Sequence, residues 1–334
     1  TGVVESIPLV CLNILFITAT RIGDAVLSSG LIAHLLEQHP KARFTIACGV
    51  PAAPLFEAVP GLDRLIVIDK WKYHTHWLSL WAGCVTTRWD RVYDLRGSQL
   101  SRFLRARQRY IGAYRDNHSH RVEELGRLIG VLPPPAPKLW LSDEARATAA
   151  KLMPAGTTIF AIGPSANWGA KQWQADRFAQ LARRATDVGG VLPGARVAVL
   201  GAELERALAE PVLNALPQDR RIDLIGKPLS VAAACIERSS LYAGNDSGLM
   251  HIAAATGTPT LGLFGPSPDV RYRPWGEHCA VVRTREGYTE LVSAPDFDHR
   301  SQQTLMTGLS VDTAYEALAN LYMSVKDYPG REPV

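Results

Sequence analysis

The chain predicts an α/β protein built as two parallel-sheet domains, and three observations carry that expectation. Short apolar strand candidates alternate with amphipathic helical stretches along nearly all of the 334 residues, as in parallel sheets covered on both faces. A proline-rich stretch, Leu132-Pro133-Pro134-Pro135-Ala136-Pro137, interrupts the alternation and makes a stiff, extended connector. A strand–turn–helix arrangement with glycine and polar residues in its turn occurs on each side of that connector. The domains therefore read as residues 1–145 and 146–334.

In the first domain, strands are expected near residues 12–18, 43–48, 64–68, 91–94 and 109–112, and helices near 24–38, 51–58, 76–87, 98–105 and 121–130. Asn13-Ile14-Leu15-Phe16-Ile17 is the apolar first strand, Thr18 to Asp24 a polar turn with Arg21 and Gly23, and Ala25 to Gln38 an amphipathic helix. In the second domain, strands fall near 158–162, 196–200, 222–225, 240–243, 259–263 and 279–283, and helices near 175–187, 203–215, 230–238 and 248–256. A last amphipathic helix, near 311–325, is expected to pack back on the first domain.

The most informative segment is Tyr242-Ala243-Gly244-Asn245-Asp246-Ser247-Gly248-Leu249-Met250-His251. A strand ending at Ala243 passes through a glycine-bracketed turn into a helix that stops at Gly257 and Pro259, leaving unpaired N–H groups beside Asp246 and Ser247. Such a turn is built to hold an anion. Asp246 or Ser247 can equally cap the helix, and His251, one turn in, can be a core histidine. A second polar loop, Gly163 to Trp173, carries Ser165 and Lys171 just before a helix. Lys171 there either neutralises a leaving diphosphate without a metal or is a solvated helix-start lysine.

A hydrophobic content of 47% and a charged content of 20% mark a globular chain long enough for two cores. Five cysteines without any Cys-x-x-Cys pair argue against a disulfide framework or a zinc site, and a reducing cytoplasm fits them. The apolar start from Leu9 to Ile17 reads as a strand rather than a signal peptide, since no basic residue precedes it and Asn13 interrupts it. No run approaches the roughly 20 apolar residues that span a bilayer, so membrane contact is expected to be peripheral.

The net charge of +4 is unevenly distributed. Residues 70–121 hold eleven Lys/Arg against three Asp, a local balance of +8, which implies an anionic partner. Trp71, Tyr73, Trp77, Trp81, Trp89, Tyr110 and Tyr114 interleave with those charges, as in single-stranded nucleic-acid binders, but several occupy apolar positions where core packing competes. Neither Gly-x-Gly-x-x-Gly nor a Walker-type Gly-Lys-Ser/Thr is present. Asp296-Phe297-Asp298 reads as a solvated loop, and the pairs His74/His76 and His118/His120 lack a carboxylate or cysteine partner. No metal is expected, and these histidines read as solvated or as substrate contacts.

Arg21-Ile22-Gly23-Asp24, Lys171-Gln172-Trp173, Gly201-Ala202-Glu203, Ile225-Gly226-Lys227 and Asn245-Asp246-Ser247-Gly248-Leu249-Met250-His251 together resemble, in order and spacing, the ADP-heptose:lipopolysaccharide heptosyltransferases of glycosyltransferase family 9. The resemblance runs from about residue 12 to 325. It implies a GT-B fold, in which two Rossmann-like, doubly wound parallel-sheet domains face each other across a cleft, the acceptor on the first and the nucleotide sugar on the second. It also implies inverting, metal-independent transfer of heptose from ADP-heptose to an anionic inner-core lipopolysaccharide acceptor, peripherally at the cytoplasmic face of the inner membrane, with no cofactor and no nucleic acid.

By position, the resemblance implies that Asp24 is the base and Lys171 the diphosphate-binding lysine, with Ser165 in the same loop. Asp246, Ser247, Gly248 and His251 belong to the turn that holds the donor, Glu203 contacts the ribose, and Leu229 lines the adenine. Arg21, Arg105 and Arg107 are expected to meet the acceptor. Gln174 stands where the family often has proline, and the segment from about 69 to 121, which would face the acceptor, points to no particular member, so the acceptor stays open. Other readings are a transferase for another nucleotide sugar or surface glycan, a nucleic-acid-binding module, and a two-domain solute-binding protein, against which the lack of the export signal expected of that class counts.

Overall fold

The structure, a computed structural model, describes residues 11–69, 76–112, 116, 118–295 and 297–326. The chain divides into two units, Thr1–Asp116 with Arg121–Trp140, and Asn117–His120 with Leu141–Val334.

The first unit contains β1 (Asn13–Ile17), α1 (Ile22–Gln38), β2 (Arg43–Gly49), β3 (Leu62–Ile68), α2 (His76–Cys84), β4 (Trp89–Asp94), β5 (Ala106–Ile111) and α3 (Arg121–Ile129). All five strands are parallel, in the order β3-β2-β1-β4-β5. Ile14 to Ile17 are fully buried, as a central parallel strand between two helical layers requires. On one face, Leu80 and Cys84 of α2 pack with Leu15, Ile17, Val92, Leu100 and Leu104. The chain leaves β1 and β4 side by side, because Ile17 pairs with Asp94 and Leu95 N–H donates to Ile17 C=O at 2.9 Å. The strand order reverses here, and open α/β sheets bind ligands at that point.

Two expected helices of this unit are only 3-10 turns, Val50–Leu55 and Gln99–Phe103. Pro54 lies inside the first, where its ring and missing N–H break an α-helical ladder. The second has no room to extend, since Leu104 is already extended and β5 opens at Ala106.

The second unit contains α4 (Asp143–Leu152), β6 (Ile159–Gly163), α5 (Ala175–Thr186), β7 (Arg196–Gly201), α6 (Arg206–Asn214), β8 (Arg221–Ile225), α7 (Leu229–Glu237), β9 (Leu241–Asn245), α8 (Gly248–Ala255), β10 (Thr260–Phe264), α9 (Asp269–Tyr272), β11 (Cys279–Arg283), α10 (Tyr288–Val292) and α11 (Val311–Val325). Its six parallel strands run β11-β10-β9-β6-β7-β8, so the order reverses between β6 and β9. Helix α4 was not anticipated from the sequence; the Ser142 hydroxyl caps it by accepting from Ala145 N–H at 3.2 Å.

The final helix packs into the core of the second unit. Ala314, Leu318, Leu321 and Val325 of α11 join the core built by Leu261, Leu263, Val282 and Phe178, and the Arg184 guanidinium lies 4.2 Å over the Tyr315 ring. The buried residues of α11 thus belong to the core of its own unit. His120 is similarly absorbed. It is buried, its Nε2–H donates to Arg273 C=O at 2.9 Å, and its ring lies 4.6 Å from that of Trp275. Burial lowers its pKa to about 4, only partly opposed by the Arg273 hydrogen bond. It is a core histidine, while His118 is exposed. His74 lies outside the described residues, as does the side chain of His76.

Candidate active site

At the switch point of the second sheet, the loops after β6 and β9 are tied together by Asn245. Its Oδ1 accepts from Trp173 N–H at 3.1 Å and its Nδ2 donates to Pro164 C=O at 2.7 Å. That clamp sets Lys171, on the 3-10 turn Gly169–Lys171, against Asp246, with Nζ to Oδ2 2.5 Å. Sequence reasoning gave these two residues separate tasks; the structure makes them an ion pair, Lys171 22% and Asp246 6% exposed. His251, buried in α8, brings Nε2 to 3.9 Å from the other oxygen of Asp246.

Neither Asp246 nor Ser247 acts as a side-chain cap. Ser247 is the N-cap residue of α8, yet its hydroxyl makes no capping hydrogen bond. That hydroxyl is buried beside the phenol of Tyr242, whose pKa burial pushes far up. Tyr242 was not singled out as a site residue in the sequence. Its ring crosses the strand ends where Gly163 pairs with Gly244; a methyl group at Gly163 would lie 2.0 Å from the phenol oxygen. Gly248 and Leu249 follow as the half-buried start of the helix.

After β7, two glutamates separate. Glu203, expected at a ribose, is engaged by Arg206, which donates to both its oxygens at 2.8 and 3.1 Å and lowers its pKa. Glu205 instead accepts from the buried Ser165 hydroxyl at 2.6 Å and from Ala202 N–H at 3.1 Å. The signal for Glu205 was its spacing, three residues past Ala202, where a glutamate reaches back to the helix start. Leu229 opens α7 and is half-buried, just past the left-handed turn at Gly226 (φ 77°).

In the first unit, Arg21 is exposed at the N-cap of α1 and Asp24 sits in its first turn. A carboxylate at a helix start can serve as a cap, but among the described residues that of Asp24 has no hydrogen-bond or ion-pair partner. Arg105 and Arg107 are placed elsewhere. Arg105 accepts from Trp89 N–H at the amino end of β4, and exposed Arg107 pairs with Asp90 at 3.5 Å. At about 3.3 Å per residue, Arg105 is roughly 20 Å and Arg107 roughly 13 Å from Ile111, the carboxyl end of β5, so neither stands on the edge that carries Asp24. Arg109 is a staple, donating to Ser101, Leu104 and Ala106 carbonyls.

Trp89 is buried and Tyr110 stacks on Tyr93 at 4.7 Å, so these aromatics are packing residues. Trp71, Tyr73 and Tyr114 lie outside the described residues, as does Asp296. Asp298 is exposed beside His299.

Two parallel sheets in Rossmann order, each with polar residues gathered at its switch point, define the GT-B class of fold. The whole chain superposes on a glycosyltransferase family 9 protein of Veillonella parvula with a TM-score of 0.78 at 20% identity, covering 96% of this chain and 99% of that one. It superposes on the ADP-heptose lipopolysaccharide heptosyltransferase II of E. coli with a TM-score of 0.72, also at 20% identity, covering 94% and 100%. The sequence pattern of glycosyltransferase family 9 (heptosyltransferase) matches residues 86–299, and the chain belongs to that family. Lipooligosaccharide heptosyltransferase 2 of Haemophilus influenzae is 31% identical over 168 residues, 49% of this chain and 47% of that relative, so the match spans about half the relative's length.

Proposed function

We propose that this chain transfers heptose from ADP-heptose to an anionic inner-core lipopolysaccharide acceptor, with inversion and without a metal ion. In this reading, residues 1–145 take the acceptor and residues 146–334 the donor, and the enzyme works in peripheral contact with the cytoplasmic face of the inner membrane. The observation that carries it is the cluster at the second switch point, where Lys171, Asp246 and the Ser247 hydroxyl converge at the start of α8.

The chemistry follows from those groups. Asp24 takes the proton of the acceptor hydroxyl, whose oxygen attacks the anomeric carbon as the bond to the diphosphate oxygen breaks. The negative charge that collects on departing ADP is met by Lys171 and by the free N–H groups at the start of α8. Asp246 turns from Lys171 toward the sugar hydroxyls, and Ser247, Gly248 and His251 shape that turn. Ser165 and the acidic pair Glu203 and Glu205 serve the nucleoside; of the two, Glu205 is the better placed, because Glu203 is held by Arg206. Leu229 lines the base, and Arg21 faces the acceptor.

Thermal denaturation with ADP, UDP and GDP tests the reading. A ligand at 100 times its dissociation constant stabilises the folded state by about 2.7 kcal/mol, so ADP is expected to raise the melting temperature well above the other two. A larger shift with UDP or GDP would overturn the adenine-nucleotide assignment.

A further inference from the structure

We propose that Arg96 binds an anionic group, a carboxylate or a phosphate, on the acceptor. The inference rests on the transferase reading above and assigns its acceptor a contact at the first sheet's switch point. Arg96 lies just past the carboxyl end of β4, beside the loop that leaves β1 for Asp24. Its guanidinium lies 4.9 Å from the centroid of the Trp77 ring, which fixes its plane from one side.

What the guanidinium lacks is an anion. Asp94 precedes it by two residues and is fully buried, but the Asp94 oxygens are committed to their own loop. Oδ1 accepts from Arg96 N–H at 3.0 Å, and Oδ2 accepts from Ser98 N–H at 2.9 Å and Ser98 Oγ at 2.5 Å. Among the described residues, Arg96 Nη1 is buried with no hydrogen-bond partner. Buried donors in folded proteins are satisfied as a rule, and one left open at a ligand-binding edge has the chemistry of a site awaiting an acceptor atom.

Arg109 shows what a structural arginine of this unit does, donating to three carbonyls. Arg96 makes no comparable set of bonds, and its partial burial lowers its pKa, with Asp94 opposing. A planar, desolvated fork favours a carboxylate or a phosphate over a neutral sugar hydroxyl. Arg105 and Arg107, at the far end of the same strands, cannot supply this contact.

The test is equilibrium binding of the anionic acceptor glycan to the full chain without donor, compared with Arg96→Gln and Arg96→Lys. A charge-assisted contact predicts a 10- to 100-fold weaker acceptor affinity for Arg96→Gln and a smaller loss for Arg96→Lys, with ADP affinity and melting temperature unchanged. The wild-type preference should vanish with a carboxyl-esterified acceptor if the group is a carboxylate, and with a dephosphorylated acceptor if it is a phosphate. Less than a twofold change for Arg96→Gln, or no acceptor binding by the wild type, overturns the proposal. Because the donor is absent, this result stands apart from the ADP test. An enzyme stabilised by UDP yet binding the glycan through Arg96 would lose only its donor assignment.

Discussion

Asp24 illustrates what a single side chain can reveal once its neighbours are known. A carboxylate in the first turn of a helix ordinarily earns its place by the helix dipole or by capping, but among the described residues no N–H is bonded to this one. Asp24→Asn is therefore expected to leave the melting temperature within about a degree while turnover at saturating acceptor falls by roughly 10²–10⁴. Rates near wild type would remove it from the mechanism. The turn at Asp246-Ser247-Gly248 was legible because those residue types are tied to a strand–turn–helix geometry that sequence periodicity exposes. The Lys171–Asp246 pair was not, since 75 residues separate its members and only the clamp of Asn245 brings them together. The positions of Arg105 and Arg107 were not legible either, because counting charge along a segment ignores which end of a parallel strand each charge occupies.

At the scale of elements, Tyr242 and the two glycines beside it form one unit. Tyr242 and Gly244 share a face of β9, and Gly163 pairs with Gly244 on β6, so the phenol runs over two strands without side chains. Gly163→Ala should cost about 1–3 kcal/mol by overpacking, read from urea denaturation. Tyr242→Phe in the same chain should recover part of it, since the aromatic carbon still lies at 3.0 Å. A neutral Gly163→Ala would show that the ring has room to move. Helix and strand order were legible from apolar periodicity throughout. The 3-10 turns and α4 were not, because short elements offer too few residues for a period to register.

For the molecule as a whole, His120 links acidity to folding. Its native pKa of about 4, against an ordinary 6.5, means that the folded chain prefers the neutral ring. The stability this confers is complete above pH 6.5 and is lost as pH falls toward 4, because the unfolded chain takes up its proton first. The loss is on the order of 3 kcal/mol. Urea midpoints measured at pH 7 and 4.5 should therefore differ more for the wild type than for His120→Phe. Equal differences would exclude the buried ring as their source. The whole-molecule plan, two sheets with the same central strand order, was legible from the recurrence of strand and helix; the membership of His120 in the second unit was not, since it precedes the proline connector by only a dozen residues.

The Lys171–Asp246 contact gives each of these two side chains an internal counterion. A donor bound as proposed must exchange one partner for another at Lys171, so from that lysine its phosphates gain the difference between two ion pairs. A lone monovalent anion gains little from such an exchange. A diphosphate carrying a sugar gains twice, because its charge takes the lysine while its hydroxyls receive the displaced carboxylate. Under the proposed function, this internal contact favours a sugar diphosphate over free phosphate.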